Sequence, residues 1–442
     1  MYKIQKFLLF FLIVTLLKIG EIPLYAESQD DLPDPEPDRA AVILNRMAEL
    51  CRISGEYKKA EALYQRSLII HEMIYGTEHA EVANLLHNMG LLYHTVKNYK
   101  QAEEFYKRAL AIREKVKGAE DLSVAATLNT LAGLYDSLGD YALSEPFYRR
   151  ALMIDEKIYG PEHPDVAIDL KNLALLCHSH GEYEKAKPLY KRALAIEEKI
   201  YGIESDVIAM TLNHLGGVHF LLEEYSQAEP LYQRALSIKE KIYGNDHPDV
   251  ASILFNLGNV YQSLKKYDSA ESSYCSAMGI SEIHDLPELK WRVQDGLSHL
   301  LDKEKYKDAA IFFAKQAVNT LNGIHGDISD LEKELKRFSP VDKKEVCKGL
   351  VNLLMNQRRI SEAQEIIAIM KAEGYTGFTD KETEKKSGAE TGCTFNNAET
   401  EWVKCYGKIR EQLKAVEKTD LGFFHFLQTL KKNINPNVFF NH

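Results

Sequence analysis

Residues 86–112 read LHNMGLLYHTVKNYKQAEEFYKRALAI. Leu86, Met89, Gly90 and Tyr93 recur at the 3-4-7 spacing that lines one face of an α-helix. Ala102, Tyr106, Ala109, Leu110 and Ile112 line a second helix, with small residues where another helix must approach closely. The stretch therefore predicts a helix pair that is too small to cover its own apolar face.

The same pattern returns every 42 residues. Tyr57, Tyr99, Tyr141, Tyr183, Tyr225 and Tyr267 keep that step, as do Leu44, Leu86, Leu128, Leu170, Leu212 and Leu254. Arg66, Arg108, Arg150, Arg192 and Arg234 follow it too, and so do Gly76, Gly118, Gly160, Gly202 and Gly244. The last set suits helix C-termini that need positive φ, while Gly55, Gly139 and Gly181 mark turns within pairs. Pro164 and Pro248 fall where a first-turn proline is tolerated. Pro146, Pro188 and Pro230 fall about five residues into the second helix, and predict a late start or a slight bend there. Stacking of neighbours closes the core, so stability becomes a sum of nearest-neighbour interfaces. The high Tyr count, 24 against 17 Phe and 2 Trp, is largely this module counted repeatedly.

Leu86, Met89, Gly90, Tyr93, Ala102, Tyr106 and Ala109 stand at the signature spacing of the tetratricopeptide repeat, which the sequence resembles in all six units. The 42-residue length, with RALAIREK at 108–115, RALMIDEKIYGPEHPDVA at 150–167 and RALAIEEKIYG at 192–202, resembles the kinesin-light-chain-like subclass. The resemblance implies an all-α fold, a right-handed superhelical solenoid of antiparallel helix pairs. Six units would cover 38–285, and a degenerate seventh 286–325, with Trp291, Leu297, Tyr306, Ala309 and Ala317 in approximate register.

In such repeats the first helix of each unit lines a concave groove that holds a protein or peptide partner. Carried over position by position, the resemblance implies a groove row of Asn45, His87, Asn129, Lys171, Asn213 and Phe255. A second row is Glu49, Leu91, Gly133, Leu175, Gly217 and Asn259. Asn both donates and accepts, so a ladder of Asn can hold an extended backbone without reading its side chains. The competing reading is that these amides satisfy groups between the helices. The Lys-Asn-Asn-Lys-Arg set of carboxylate-clamp relatives is absent, so a C-terminal carboxylate is not the expected ligand.

Beyond residue 325 the period is lost. A helical extension is expected over 326–375, with a helix pair in 343–374, a flexible linker over 376–397 and a C-terminal amphipathic helix and tail over 398–442. Residues 357–375 (QRRISEAQEIIAIMKAEGY) and 398–413 (AETEWVKCYGKIREQL) resemble the stretch joining repeats to the caspase-like peptidase of bacterial CHAT proteins. On that resemblance the chain would be the regulatory repeat region of a peptidase without its catalytic domain.

Residues 1–26 (MYKIQKFLLFFLIVTLLKIGEIPLYA) read as a signal peptide, with Lys3 and Lys6 before an apolar run of 11 residues and a cleavage point near Ala26. As a helix that run covers about 16 Å, roughly half of a ~30 Å hydrocarbon core. An exported chain is expected, periplasmic or extracellular, and a membrane partner only if the segment is retained as an anchor. A cytoplasmic adaptor of the kinesin-light-chain kind would require that the segment is no signal. Residues 27–37 (ESQDDLPDPEP) form an acidic, proline-bearing disordered spacer.

The chemistry-bearing residues point away from an enzyme. A net charge of −10 gives no general surplus of Lys and Arg for phosphate backbones, so no nucleic-acid partner is expected. Cys51 and Cys177 occupy the repeat position of Tyr93, Tyr135 and Tyr261 and are expected as core filler, whereas Cys347, Cys393 and Cys405 lie outside the repeats and are open to pairing. His79, His163 and His247 share a loop-to-helix junction and read as structural. His325-Gly326 matches the His-Gly of a caspase-type dyad by coincidence, because no strand pattern surrounds it. Without GxSxG, P-loop, HExxH or CxxC patterns, no catalytic residue, metal site or cofactor is expected.

Overall fold

The computed structural model describes residues 37–324 and 343–372, together with 399–400, 402–404, 426–428 and 430–431. The expected signal segment 1–26, the linker 376–397, His325-Gly326 and all of the spacer but Pro37 lie outside the described residues. Sixteen helices run through the two long stretches, in eight pairs. The first three pairs are α1 (Pro37–Ile53) with α2 (Tyr57–Tyr75), α3 (Ala80–Thr95) with α4 (Tyr99–Lys117), and α5 (Leu122–Ser137) with α6 (Tyr141–Tyr159). Then follow α7 (Pro164–Ser179) with α8 (Tyr183–Tyr201), α9 (Asp206–Leu221) with α10 (Tyr225–Tyr243), and α11 (Pro248–Ser263) with α12 (Tyr267–Ile283). The last two are α13 (Pro287–Lys303) with α14 (Lys307–Gly323), and α15 (Lys343–Asn356) with α16 (Ile360–Ala372).

The chain divides into two compact units, one ending at Ala119 and one starting at Glu120. The first holds pairs 1 and 2, the second pairs 3 to 8. Inside each unit the two helices of a pair pack together, and the second helix packs on the next pair. Each unit is thus an all-α repeat solenoid. No helix among the described residues is long and apolar enough to cross a membrane.

Local chemistry sets the helix ends. His79, His163 and His247 are N-caps, each accepting at Nδ1 from the backbone N–H two residues on, at 3.2, 3.3 and 3.2 Å. Each imidazole also stacks on the tyrosine that ends the preceding helix, Tyr75, Tyr159 or Tyr243, with centroids 4.3, 4.0 and 4.4 Å apart. Asp121 and Ser205 cap α5 and α9 in their place. The turn inside each pair needs a left-handed residue. Gly55, Gly139 and Gly181 supply it, but Lys97, Glu223 and Lys265 hold the same column with φ of 60°, 59° and 60°.

The expected late start at the internal prolines does not occur. The helices run from Tyr141, Tyr183 and Tyr225 straight through Pro146, Pro188 and Pro230. Each proline is the sixth residue of its helix, so the missing N–H forgoes a single bond near the end, which side-chain packing offsets.

The core repeats as well. Tyr64, Tyr106, Tyr190, Tyr232 and Tyr274 are buried, each against the first helix of its own pair. Cys51 and Cys177 are buried free thiols, as expected of core filler. Cys347 is buried on α15, while Cys393 and Cys405 lie outside the described residues. Between helices, Arg108 reaches Glu72 at 2.6 Å, Arg192 reaches Glu156 at 2.5 Å and Arg234 reaches Glu198 at 2.5 Å. The recurrent arginines are therefore surface ion-pair partners, each contributing at most about 1 kcal/mol.

One buried column of the second helices changes its residue at every step and its charge type at three of the four: His71, Arg113, Asp155, Glu197, Lys239. Arg113 donates to Asn84 Oδ1 at 2.9 Å. Asp155 faces Asp169, and burial raises the pKa of both carboxyls. Glu197 pairs with Lys171 at 2.6 Å and accepts from Thr211 Oγ1 at 2.7 Å. Lys239 bridges Asp206 at 2.6 Å and Asp249 at 2.7 Å.

The described residues between 399 and 431 pack against pairs 6 to 8. Lys315 of α14, 1% exposed, pairs with Glu362 at 2.5 Å and Glu399 at 2.8 Å, and Arg359 reaches both carboxylates. Lys431 joins Glu271 of α12 at 2.5 Å to Glu304 at 2.9 Å, while Trp402 and Phe426 pack edge-on against Phe312. α12 is buried on more of its surface than the second helices of the earlier pairs, and Gln428 and Lys431 bond to its Glu271.

Candidate functional site

The first helices of the second unit carry the residues that could meet a partner. Along α7, α9, α11, α13 and α15 they line a cleft of about 900 Å³. Asn213, His214 and Gly217 enter from α9, Phe255, Asn256 and Asn259 from α11, Arg292, Asp295 and His299 from α13, and Lys348 and Asn352 from α15.

Asn256 Nδ2 donates to Asn213 Oδ1 at 3.0 Å. That bond uses one donor and one acceptor, and leaves the Asn213 amino group and the Asn256 oxygen to other partners. Asn259 accepts at 2.7 Å from the Tyr274 hydroxyl, which fixes its carbonyl and, among the described residues, leaves its amino group uncommitted. Phe255 is half-buried beside Tyr274, with centroids 6.2 Å apart, and supplies an apolar wall. Donor, acceptor and apolar surface alternate here over adjacent pairs, as an extended peptide requires.

Burial favours the neutral form of two imidazoles at this site, His178 and His214. Burial, with smaller repulsions from Lys171 and from His178 when protonated, pushes His214 down to about 4. Burial also lowers His178, whose Nδ1 is without a hydrogen-bond partner among the described residues. Asp295 is raised by burial, with His299 opposing at 3.7 Å. Lys348 is paired with Glu345 at 2.6 Å. Among the described residues, no group of three or more His, Cys, Asp or Glu is gathered to hold a metal ion.

Of the expected groove row, only Asn213 and Phe255 line the cleft. Asn129 donates to Asp169 at 2.6 Å, so its amide serves the contact between α5 and α7. Lys171 serves Glu197. Asn45 and His87 belong to the first unit, where Asn45 accepts from Asn88 at 3.2 Å. His87 packs against Tyr106 there, and burial with nearby Arg113 lowers its pKa to about 4. The recurrent amides are thus partly mortar between pairs. In the second row Gly217 and Asn259 reach the cleft, whereas Glu49 is held by Arg52 and Tyr64.

The row carried over from the repeats did not include Arg292, His299 or Asn352. They stand past the point where the period slips, since α13 begins at Pro287 and not 42 residues after Pro248. A column projected along the sequence misses them for that reason.

The tetratricopeptide repeat family matches residues 39–115, 123–199 and 207–283, together just over half of the chain. No curated protein matches. Among solved structures the chain is similar to aspartyl phosphate phosphatase F from Bacillus subtilis, at 13% identity over 81% of this chain and 100% of that one, with a TM-score of 0.51. It is also similar to BtubC (BKLC) from P. vanneervenii, at 21% identity over 57% and 94% of the two chains, TM-score 0.44. A tetratricopeptide repeat protein from Parabacteroides merdae is 14% identical over 68% and 100%, TM-score 0.44. Likeness at these identities speaks to the fold alone. With the 42-residue period, the paired helices and the matched segments in agreement, the chain belongs to the tetratricopeptide repeat family.

Proposed function

We propose that this chain is an exported interaction scaffold that holds an extended segment of a partner protein in the cleft of its second unit. The observation that carries the reading is the cleft itself. About 900 Å³ is lined by the first helices of consecutive pairs, with the Asn213–Asn256 amides beside the Phe255 wall. Uncommitted amide donors and acceptors match a peptide backbone, and the apolar wall adds buried area.

The test is to pan a displayed library of random peptides against the full chain and titrate the selected peptides against Asn213→Ala/Phe255→Ala. Loss of binding in that variant is the expected result. A library from which nothing is retained, or peptides that bind the variant as tightly as the parent, would overturn the reading.

Export rests on residues 1–26, whose basic start and short apolar run fit a signal peptide. Sequencing the N-terminus of the chain recovered from its host is expected to give a start at or near Glu27. A chain that retains Met1 would overturn cleavage.

A further inference from the structure

The cleft contains a cation that no described residue neutralises. Arg292 lines it from α13 with a half-buried side chain, and its Nε is buried without a hydrogen-bond partner. Among the described residues no carboxylate reaches ion-pairing distance of the guanidinium. Glu288, one turn earlier on α13, is exposed and raises its pKa only through space, while burial lowers it. Of the other ionisable groups around the cleft, Lys348 is paired with Glu345, and Asp295, which burial pushes toward its neutral acid, stands 3.7 Å from His299. His178 and His214 are held neutral by burial, so neither adds a competing cation near pH 7. A guanidinium cannot shed its proton, so burial leaves an unmet demand for an anion.

We propose that Arg292 receives the side-chain carboxylate of an Asp or Glu in the bound segment, while the Asn213, Asn256 and Asn259 amides hold its backbone. The proposal rests on the peptide-holding reading of the cleft and names the chemistry of the partner. A carboxylate suits the site because it is a monoanion, it takes two guanidinium N–H bonds in a plane, and a single uncompensated cation balances it. A dianionic phosphate would leave one negative charge in a half-buried cleft where, among the described residues, the second cation, Lys348, is already paired with Glu345. Trp291, next to Arg292, supports the guanidinium, whose carbon lies 5.6 Å from the ring centroid.

The experiment uses the full chain and one degenerate decapeptide library, N-acetylated and C-amidated so that the only carboxylates are on side chains. Three forms differ at a fixed central position: Glu, Gln and phosphoserine. The Glu form is expected to bind about tenfold more tightly than the Gln form, as a charge-assisted bond would give. The phosphoserine form is expected to bind no more tightly than the Glu form. Arg292→Met is expected to erase the Glu preference and leave the Gln form unchanged, and Arg292→Lys to restore part of it. Equal binding of Glu and Gln forms to the parent chain overturns the proposal, as does a preference that survives Arg292→Met or tighter binding of phosphoserine. The parent-chain comparison needs no variant, so a poorly folded Arg292→Met does not shield it. If all forms bind equally but Asn213→Ala/Phe255→Ala abolishes binding, the acidic assignment fails and the cleft reading stands. If that variant binds all forms like the parent, both fail.

Discussion

Gly258 has no side chain because Tyr274 occupies the place where one would go: a Cβ there would stand 2.5 Å from the ring Cε1. Gly90 stands in the same relation to Tyr106, again at 2.5 Å. Gly258→Ala is therefore expected to destabilise the second unit by about 1–3 kcal/mol, the usual range for overpacking a filled core. Urea unfolding followed by circular dichroism reads this as a lower midpoint. An unchanged midpoint would mean that Tyr274 can shift its ring at little cost.

The Asp155–Asp169 contact predicts a pH dependence. Burial raises Asp169 to about 7, the Asn129 bond opposes this, and Asp155 adds to it. In the unfolded chain the carboxyl titrates near 4. Between these values the folded state binds more protons, so stability falls as pH rises from about 4 to about 7 and is flat outside that window. Asp169→Asn is expected to remove this slope and to raise stability at pH 8 by roughly 2–4 kcal/mol. Thermal melts of both proteins at pH 5 and pH 8 check it, and a parallel pH dependence would refute it.

Glu223 sits where Gly181 sits one repeat earlier, with φ of 59° against 76°. Glu223→Gly is expected to relieve left-handed strain and stabilise by about 0.5–1 kcal/mol, after the extra freedom of glycine in the unfolded chain is subtracted. The reverse change, Gly181→Glu, is expected to destabilise by a similar amount. Denaturant midpoints measure both.

Lys171 was an expected groove residue, yet it neutralises Glu197, which is 1% exposed. Lys171→Ala is expected to cost about 3 kcal/mol by stranding that carboxylate, and Lys171→Met with Glu197→Leu to recover most of it. Calorimetry decides this. A harmless Lys171→Ala would show that Thr211 alone satisfies Glu197. For the same reason a binding test should spare Lys171 and use Asn213 and Phe255.

The helices were readable in the sequence because their cause is local. A 42-residue step in Tyr57, Leu44 and their equivalents fixes both the element and its neighbour. Which groove-facing side chains are at liberty was not readable, because that depends on a contact about forty residues away. Asn129 and Asn213 hold the same repeat position, yet Asn129 is tied to Asp169 and Asn213 keeps its amino group for the cleft. Arg292 escaped for a different reason: the spacing between α11 and α13 is shorter than the period, so no column pointed to it.

The changing column of His71, Arg113, Asp155, Glu197 and Lys239 also bears on how such a chain can be inherited. Near-identical modules invite in-frame loss of a whole copy when DNA is replicated, and most of this sequence would accept the excision silently. Removing residues 206–247 as a block would keep every helix boundary and every Tyr and Gly in step. It would also put Glu197 in the place of Lys239, facing Asp249, with Ile253 where Thr211 had donated to it. Glu197, still paired with Lys171, would then face an exposed carboxylate where Lys239 had made an ion pair. The order of the modules is thus written into the charges that the core conceals, and a shortened copy would carry a like-charge contact in place of an ion pair.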